Sequence, residues 1–172
     1  MQRPGAMRVF LRAALLVFGV ALPACIVQMP AEQMAPSDVQ PGEVAIELTS
    51  GAAAVVVPVR INGQGPFRFI LDTGSSLTCL DTGLAKKLDL EPRAGVVGKG
   101  FGVASEGRVD MVTIKRFEVG SSGARQLTAC TLDLETIRAS GLDVDGLVGL
   151  NFLREYRVII DFERRALKLE AP

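Results

Sequence analysis

The chain has 172 residues, 48% of them hydrophobic, which is enough for one domain with a sizeable core. It contains no histidine, which excludes a Ser-His-Asp triad and removes the commonest metal ligand, and its three cysteines lack the spacing of a zinc site. Nineteen basic residues balance nineteen acidic ones, so charge gives no case for nucleic acid, and any catalysis must run on carboxylates without a metal or other cofactor.

Residues 1–25 read as a signal peptide: Arg3, Arg8 and Arg12 precede the apolar stretch AALLVFGVALPA, which is too short to stay in a bilayer as a span. Leu22-Pro23-Ala24-Cys25 looks like a bacterial lipobox, which implies cleavage before Cys25 and its lipidation; ordinary signal cleavage nearby or an uncleaved short anchor are the alternatives. From Cys25 onward 16 basic residues face 19 acidic ones, a formal charge of −3. The expected location is the periplasmic side of a bacterial envelope, held at the membrane. Residues 26–43, with three prolines, three glutamines and no apolar period, read as a flexible linker. The folded domain is expected over residues 44–172.

Short runs of Val, Ile, Leu, Phe and Thr between glycine-rich turns predict an all-β domain with one or two short helices. VAIELTS and AVVVPVRI are strand candidates, and the turn at Asn62-Gly63 leads into FRFIL, which runs straight into Asp72. LTCL is the next strand. LAKKLDL has helical spacing with Asp81 or Thr82 as its cap. Gly98, Gly100, Gly102 and Gly107 fall in a segment suited to a hairpin flap that opens and closes over a substrate. RVDMVTIKRFEVG reads as two strand segments joined near Lys115, and Lys115-Arg116 and Arg164-Arg165 as solvated faces. ACTLDL is a further strand, NFLREY a short helix opened by Asn151, and VIIDF with ALKLE a closing hairpin. Cys79 and Cys130 either pair, closing a loop of about 52 residues, or remain two buried thiols, the state their apolar strands favour.

The sequence Leu-Asp-Thr-Gly occurs twice, ending in Asp72-Thr73-Gly74 and in Asp81-Thr82-Gly83. Asp72 ends an apolar strand and sits in a tight loop before another, where an ionisable group is costly without partners or a function. Asp81 stands where a helix needs an acceptor for its orphan N–H groups. The first copy is therefore the candidate for chemistry and the second a cap.

At these residues the chain resembles the retropepsin-like aspartic proteases, particularly the small single-lobe bacterial relatives of the retroviral and pepsin enzymes. FRFILDTGSS matches the catalytic strand and loop, LAKKLDL the following helix, and DGLVGLNFLREYRVIIDF the second half. The resemblance implies a closed acid-protease β-barrel or sandwich, with Leu147-Val148-Gly149 packed beside the catalytic loop. It implies that Asp72 is catalytic, that Thr73 locks two such loops together through its hydroxyl, that Gly74 permits close backbone approach, and that Ser75 bonds the outer carboxylate oxygen. Such an enzyme hydrolyses polypeptides with a pair of carboxylates. Each chain offers one, since Asp72 and Asp81 bound opposite ends of a strand, about 13 Å apart or more at roughly 3.3 Å per residue; a homodimer would bring Asp72 to Asp72. An inactive envelope lipoprotein using the fold as a scaffold is the alternative, and a structural lipoprotein with an unrelated barrel a third reading.

Overall fold

Buried residues alternate with more exposed ones over residues 57–61 and, with one break, over 111–119, the period of two of a half-buried strand. The computed structural model describes residues 39–49, 54–93 and 110–172; the expected flap with Gly98, Gly100, Gly102 and Gly107, and Cys25 with the signal segment, lie outside them. In chain order the elements are β1 (Glu43–Ala45), β2 (Glu47–Leu48), β3 (Val55–Ile61), β4 (Gln64–Leu71), β5 (Cys79–Asp81), α1 (Thr82–Lys87), β6 (Met111–Val119), β7 (Ser122–Leu132), α2 (Glu135–Ala139), β8 (Gly146–Val148), α3 (Leu150–Leu153), β9 (Arg157–Asp161) and β10 (Ala166–Glu170).

Strands β3-β4-β8-β5-β7-β6 form a continuous ladder, and β3 also pairs with β6, so six strands close on themselves as a barrel. The expected all-β barrel is what the chain forms. Asn62 and Gly63, with φ of 51° and 80°, make the two-residue turn that joins β3 to β4 with the twist antiparallel strands need. A second sheet, β1-β10-β9, contains the expected closing hairpin.

Phe69, Phe117 and Phe152 meet edge to face in the core, with centroids 5.9 Å and 5.0 Å apart along the row. Each such buried ring contributes about 1.5–3 kcal/mol, so this row fixes the barrel's middle. A smaller cluster of Val56, Leu134, Leu142 and Val144 lies under the segment leading into β8.

Two expectations change. β6 is one strand, not two, but its buried face switches: Val112 and Ile114 point inward, then Phe117 and Val119, with Lys115 and Arg116 both exposed at the change of phase. The break in the pattern is a bend that keeps the strand wrapped round the core. The described residues also hold a third short helix, α2, which has no side-chain cap and no apolar period and is held by buried Leu134 at its start.

Glu43 in β1 receives two guanidinium hydrogen bonds from Arg164, which also binds Asp161, so one arginine clamps β1 to the β9–β10 hairpin. The guanidinium holds the Glu43 carboxyl below its usual range. The Arg164 backbone N–H, then its side chain, does the same for Asp161. Both shifts are downward, so their stabilisation is complete above the ordinary carboxyl range and disappears as pH falls through the lowered values. Arg164→Gln is expected to lower the melting temperature slightly at neutral pH, with the gap to the parent closing in acid where both carboxylates are protonated. Melting curves across that range check it.

Candidate active site

β4 delivers Asp72 to the end of a three-strand junction. It runs parallel to β8, with Phe69 opposite Gly146, Ile70 opposite Leu147 and Leu71 opposite Val148. The ladder continues one residue further, as the Asp72 N–H donates to the Val148 carbonyl at 3.0 Å. The chain then turns on its own aspartate: the Gly74 N–H donates to Asp72 Oδ1 at 2.8 Å and the Ser75 N–H to the Asp72 carbonyl at 3.3 Å. A Cβ on Gly74 would sit 3.2 Å from Asp72 Oδ1, so glycine gives the backbone its close approach to the carboxylate. One carboxylate oxygen is thus fixed, and the other has no hydrogen-bond partner among the described residues. Asp72 is half-buried, while Thr73 and Gly74 are exposed.

The second half of the site locks this loop from below. β8 lies between β4 and β5, with Leu147 opposite both Ile70 and Cys79. At Gly149 any Cβ would run into the backbone of Leu77 and Thr78, so only glycine lets the two segments cross. Beyond it the Leu150 N–H donates to the Ser75 carbonyl at 2.8 Å and the Asn151 N–H to the Ser76 carbonyl at 3.2 Å. The buried Thr78 hydroxyl accepts from the Gly149 N–H and donates to Asn151 Oδ1 at 2.9 Å, which also accepts the Thr78 N–H at 2.7 Å. Asn151 Nδ2 then donates to the Thr128 carbonyl in β7.

Two expectations need correction. Ser75 Oγ donates to the Leu77 carbonyl at 2.6 Å instead of reaching the Asp72 carboxylate, because the turn carries its side chain toward the following strand. Asn151 does not cap α3; Gly149 holds that position, and Asn151 binds the loop. Thr73 has no hydrogen-bond partner within the chain among the described residues. Thr78 went unnoticed in the sequence because a threonine inside a strand looks like any other β-branched residue; only its contacts mark it.

Asp81 lies at the other end. β5 runs antiparallel to β8, whereas β4 runs parallel to it, so the carboxyl ends of β4 and β5 point in opposite directions. Asp81 Oδ1 accepts from the Gly83 and Leu84 N–H groups at the start of α1, and Oδ2 pairs with Arg138 at 3.0 Å and receives the Leu134 N–H at 3.4 Å. Every one of these contacts is structural. Asp81→Ala removes the cap and the partner of a half-exposed arginine, an expected loss of roughly 2 kcal/mol. Denaturant unfolding of parent and variant checks it.

Cys79 and Cys130 stand opposite each other in the parallel pair of β5 and β7, with Cα atoms 4.4 Å apart, and form a disulfide. The expectation of two free thiols is therefore replaced by a bridge one residue beyond Thr78. Local pattern puts each cysteine in an apolar strand but does not contain the register that joins them. Among the described residues no cluster of Cys, Asp or Glu is arranged to hold a metal ion.

A family model described as aspartyl protease matches residues 57–152, a span that contains both the Asp72 loop and Leu147–Gly149. No curated protein matches the sequence. Among solved structures, the fold is similar to a retropepsin-like aspartic protease from Rickettsia conorii, with 18% identity, a TM-score of 0.50, and coverage of 74% of this chain and 87% of that one. The retroviral protease-like domain of Ddi1 from Leishmania major is also similar, at 15% identity and a TM-score of 0.44, covering 67% of this chain and 87% of its own.

Proposed function

The chain belongs to the aspartyl protease family, and from that premise we propose that it is an aspartic endopeptidase whose active site forms when two copies bring their Asp72 residues together. The observation that carries the reading is the Asp72 loop itself: a carboxylate with one oxygen fixed by Gly74 and the other open, locked against Leu147–Gly149. Asp81 is committed to Arg138 and Asp145 accepts the Arg68 N–H, so neither supplies the second carboxylate. Exposed Thr73, and Leu150 at 39% exposure beside the Ser75 carbonyl, leave the loop's outer side available to a partner.

Two carboxylates about 3 Å apart repel by roughly 5 kcal/mol at an effective dielectric near 20, so one ionises and the other keeps its proton. The ionised group takes a proton from a bound water as that water attacks the peptide carbonyl. The protonated group donates to the developing oxyanion, and the roles exchange as the amine leaves. Across the two-fold axis, the unpartnered Thr73 hydroxyl is the group placed to tie one loop to the other.

By the same reading, cleavage before Cys25 followed by lipidation holds the domain at a membrane on the periplasmic side of a bacterial envelope. Sedimentation combined with cleavage assays tests the shared site. Specific activity is expected to rise with protein concentration alongside the dimer fraction, and a statine-type inhibitor to bind once per two chains. Full activity in a species that sediments as a monomer rules the shared site out, and a stable monomer without cleavage leaves a scaffold.

A further inference from the structure

We propose that the outward face of β3, β6 and β7 around Arg60, Lys115, Arg116 and Arg125 docks onto anionic phospholipid headgroups, an inference that rests on the reading of the chain as membrane-held. The fold makes this patch; the sequence only hints at it. At the phase change in β6, Lys115 and Arg116 are both turned outward, and in the facing strand Arg125 and Gln126 are consecutively exposed at the same level, Gln126 with φ of 53°. Arg116 stands directly opposite Arg125, and Arg60 opposite Glu118, two residues along from Arg116 on the same face.

Among the described residues of these three strands, four cations therefore share one patch with a single carboxylate, on a chain whose charge from Cys25 onward is −3. Glu118 is committed to Arg116 at 2.6 Å. Lys115 and Arg125 have no ion-pair partner among the described residues, and the Arg60 guanidinium reaches only the Gly63 carbonyl at 3.5 Å. Like charges directly across a ladder are destabilising, and an external layer of anions removes that repulsion.

Position argues for a bilayer as the source of those anions. Val44, the first buried residue among those described, packs on the β6–β7 turn, where a Cβ at Gly120 would run into its side chain. The chain arriving from residue 25 therefore meets the domain at the end of the hairpin that carries the patch. Thirteen residues separate Cys25 from Val39, the first described residue; a coil of that length would have a root-mean-square reach of roughly 20 Å, so an anchor at Cys25 keeps the patch near the headgroups. Each cation brought to an anionic leaflet strengthens binding about fivefold at low salt.

The test uses the full chain and vesicles of phosphatidylcholine with or without phosphatidylglycerol. The triple variant Arg60→Gln, Lys115→Gln, Arg125→Gln is expected to lose at least about tenfold in partitioning to the phosphatidylglycerol vesicles and most of its salt dependence, with binding to phosphatidylcholine alone unchanged. A charge-keeping Arg60→Lys, Arg125→Lys variant should bind like the parent, and matched melting curves show that all three fold. Equal partitioning of parent and triple variant overturns the proposal, as does tighter patch-dependent binding to a DNA or RNA oligonucleotide than to the anionic vesicles. The mass of Cys25 in cell-derived protein reports separately on the anchor: an unmodified Cys25 beside patch-dependent vesicle binding removes the anchor and leaves the surface standing.

Discussion

Asp72→Asn is expected to lower peptide cleavage by at least about a thousandfold, within the range that general acid–base groups contribute, while the variant folds and melts at or slightly above the parent's temperature. The amide keeps the shape of the side chain, and its oxygen can still accept the Gly74 N–H that fixes Asp72 Oδ1. The turn and its ladder bond to Val148 should survive. In the proposed shared site, what disappears is the negative charge that would take a proton from water and the proton shared with the second carboxylate. Removing two mutually repelling groups from that proposed interface would also let stability hold. Cleavage of a peptide library by parent and variant, with thermal unfolding on the same samples, decides the matter. A variant that cleaves as fast as the parent would show that Asp72 is not the catalytic carboxylate. Failure of the Asp72→Asn chain to fold would instead show that the charge is structural, against the half-buried, half-open setting of the side chain.

The capping role of the second Leu-Asp-Thr-Gly copy was legible because it rests on local chemistry. An aspartate before a helical segment caps it, and the Asp81 bonds to Gly83 and Leu84 follow from that alone. Strand positions were legible for the same reason where burial alternates, as along β3 and, with one break, β6. Contacts between distant segments were not. Asn151 left the start of α3 to bind Thr78 because the packing of β8 against β5 brings together residues 73 positions apart, and Cys79 met Cys130 through the parallel pairing of β5 with β7. The crossing of β4, β8 and β5 puts Asp72 and Asp81 at opposite ends of the barrel. Lys115 is a case between the two: the sequence pattern breaks there, but only the closed barrel turns a break into a bend with its cations facing out.

Replacing both Cys79 and Cys130 by alanine is expected to destabilise the domain by about 4 kcal/mol in the chain-entropy model, a fall in melting temperature of roughly 10–20 °C for a domain of this size. The bridge spans 51 positions in sequence, so cutting it frees a long loop in the unfolded chain. Its place in the fold adds a local effect. β5 has only three residues, and Cys79 is the one paired to both Leu147 and Cys130, immediately after the Thr78 that holds Gly149 and Asn151. Loosening β5 should therefore loosen the floor of the Asp72 loop before the barrel melts, so activity is expected to decline at temperatures where most strands remain intact. Each single variant should lose the bridge as completely as the double variant, and reducing agent should bring the parent toward the same melting temperature. Thiol titration of the denatured, unreduced chain gives the independent check: apart from Cys25 it should find no free thiol. Two further thiols, or a double variant as stable as its parent, would mean that the bridge does not form and that packing alone holds β5 to β7.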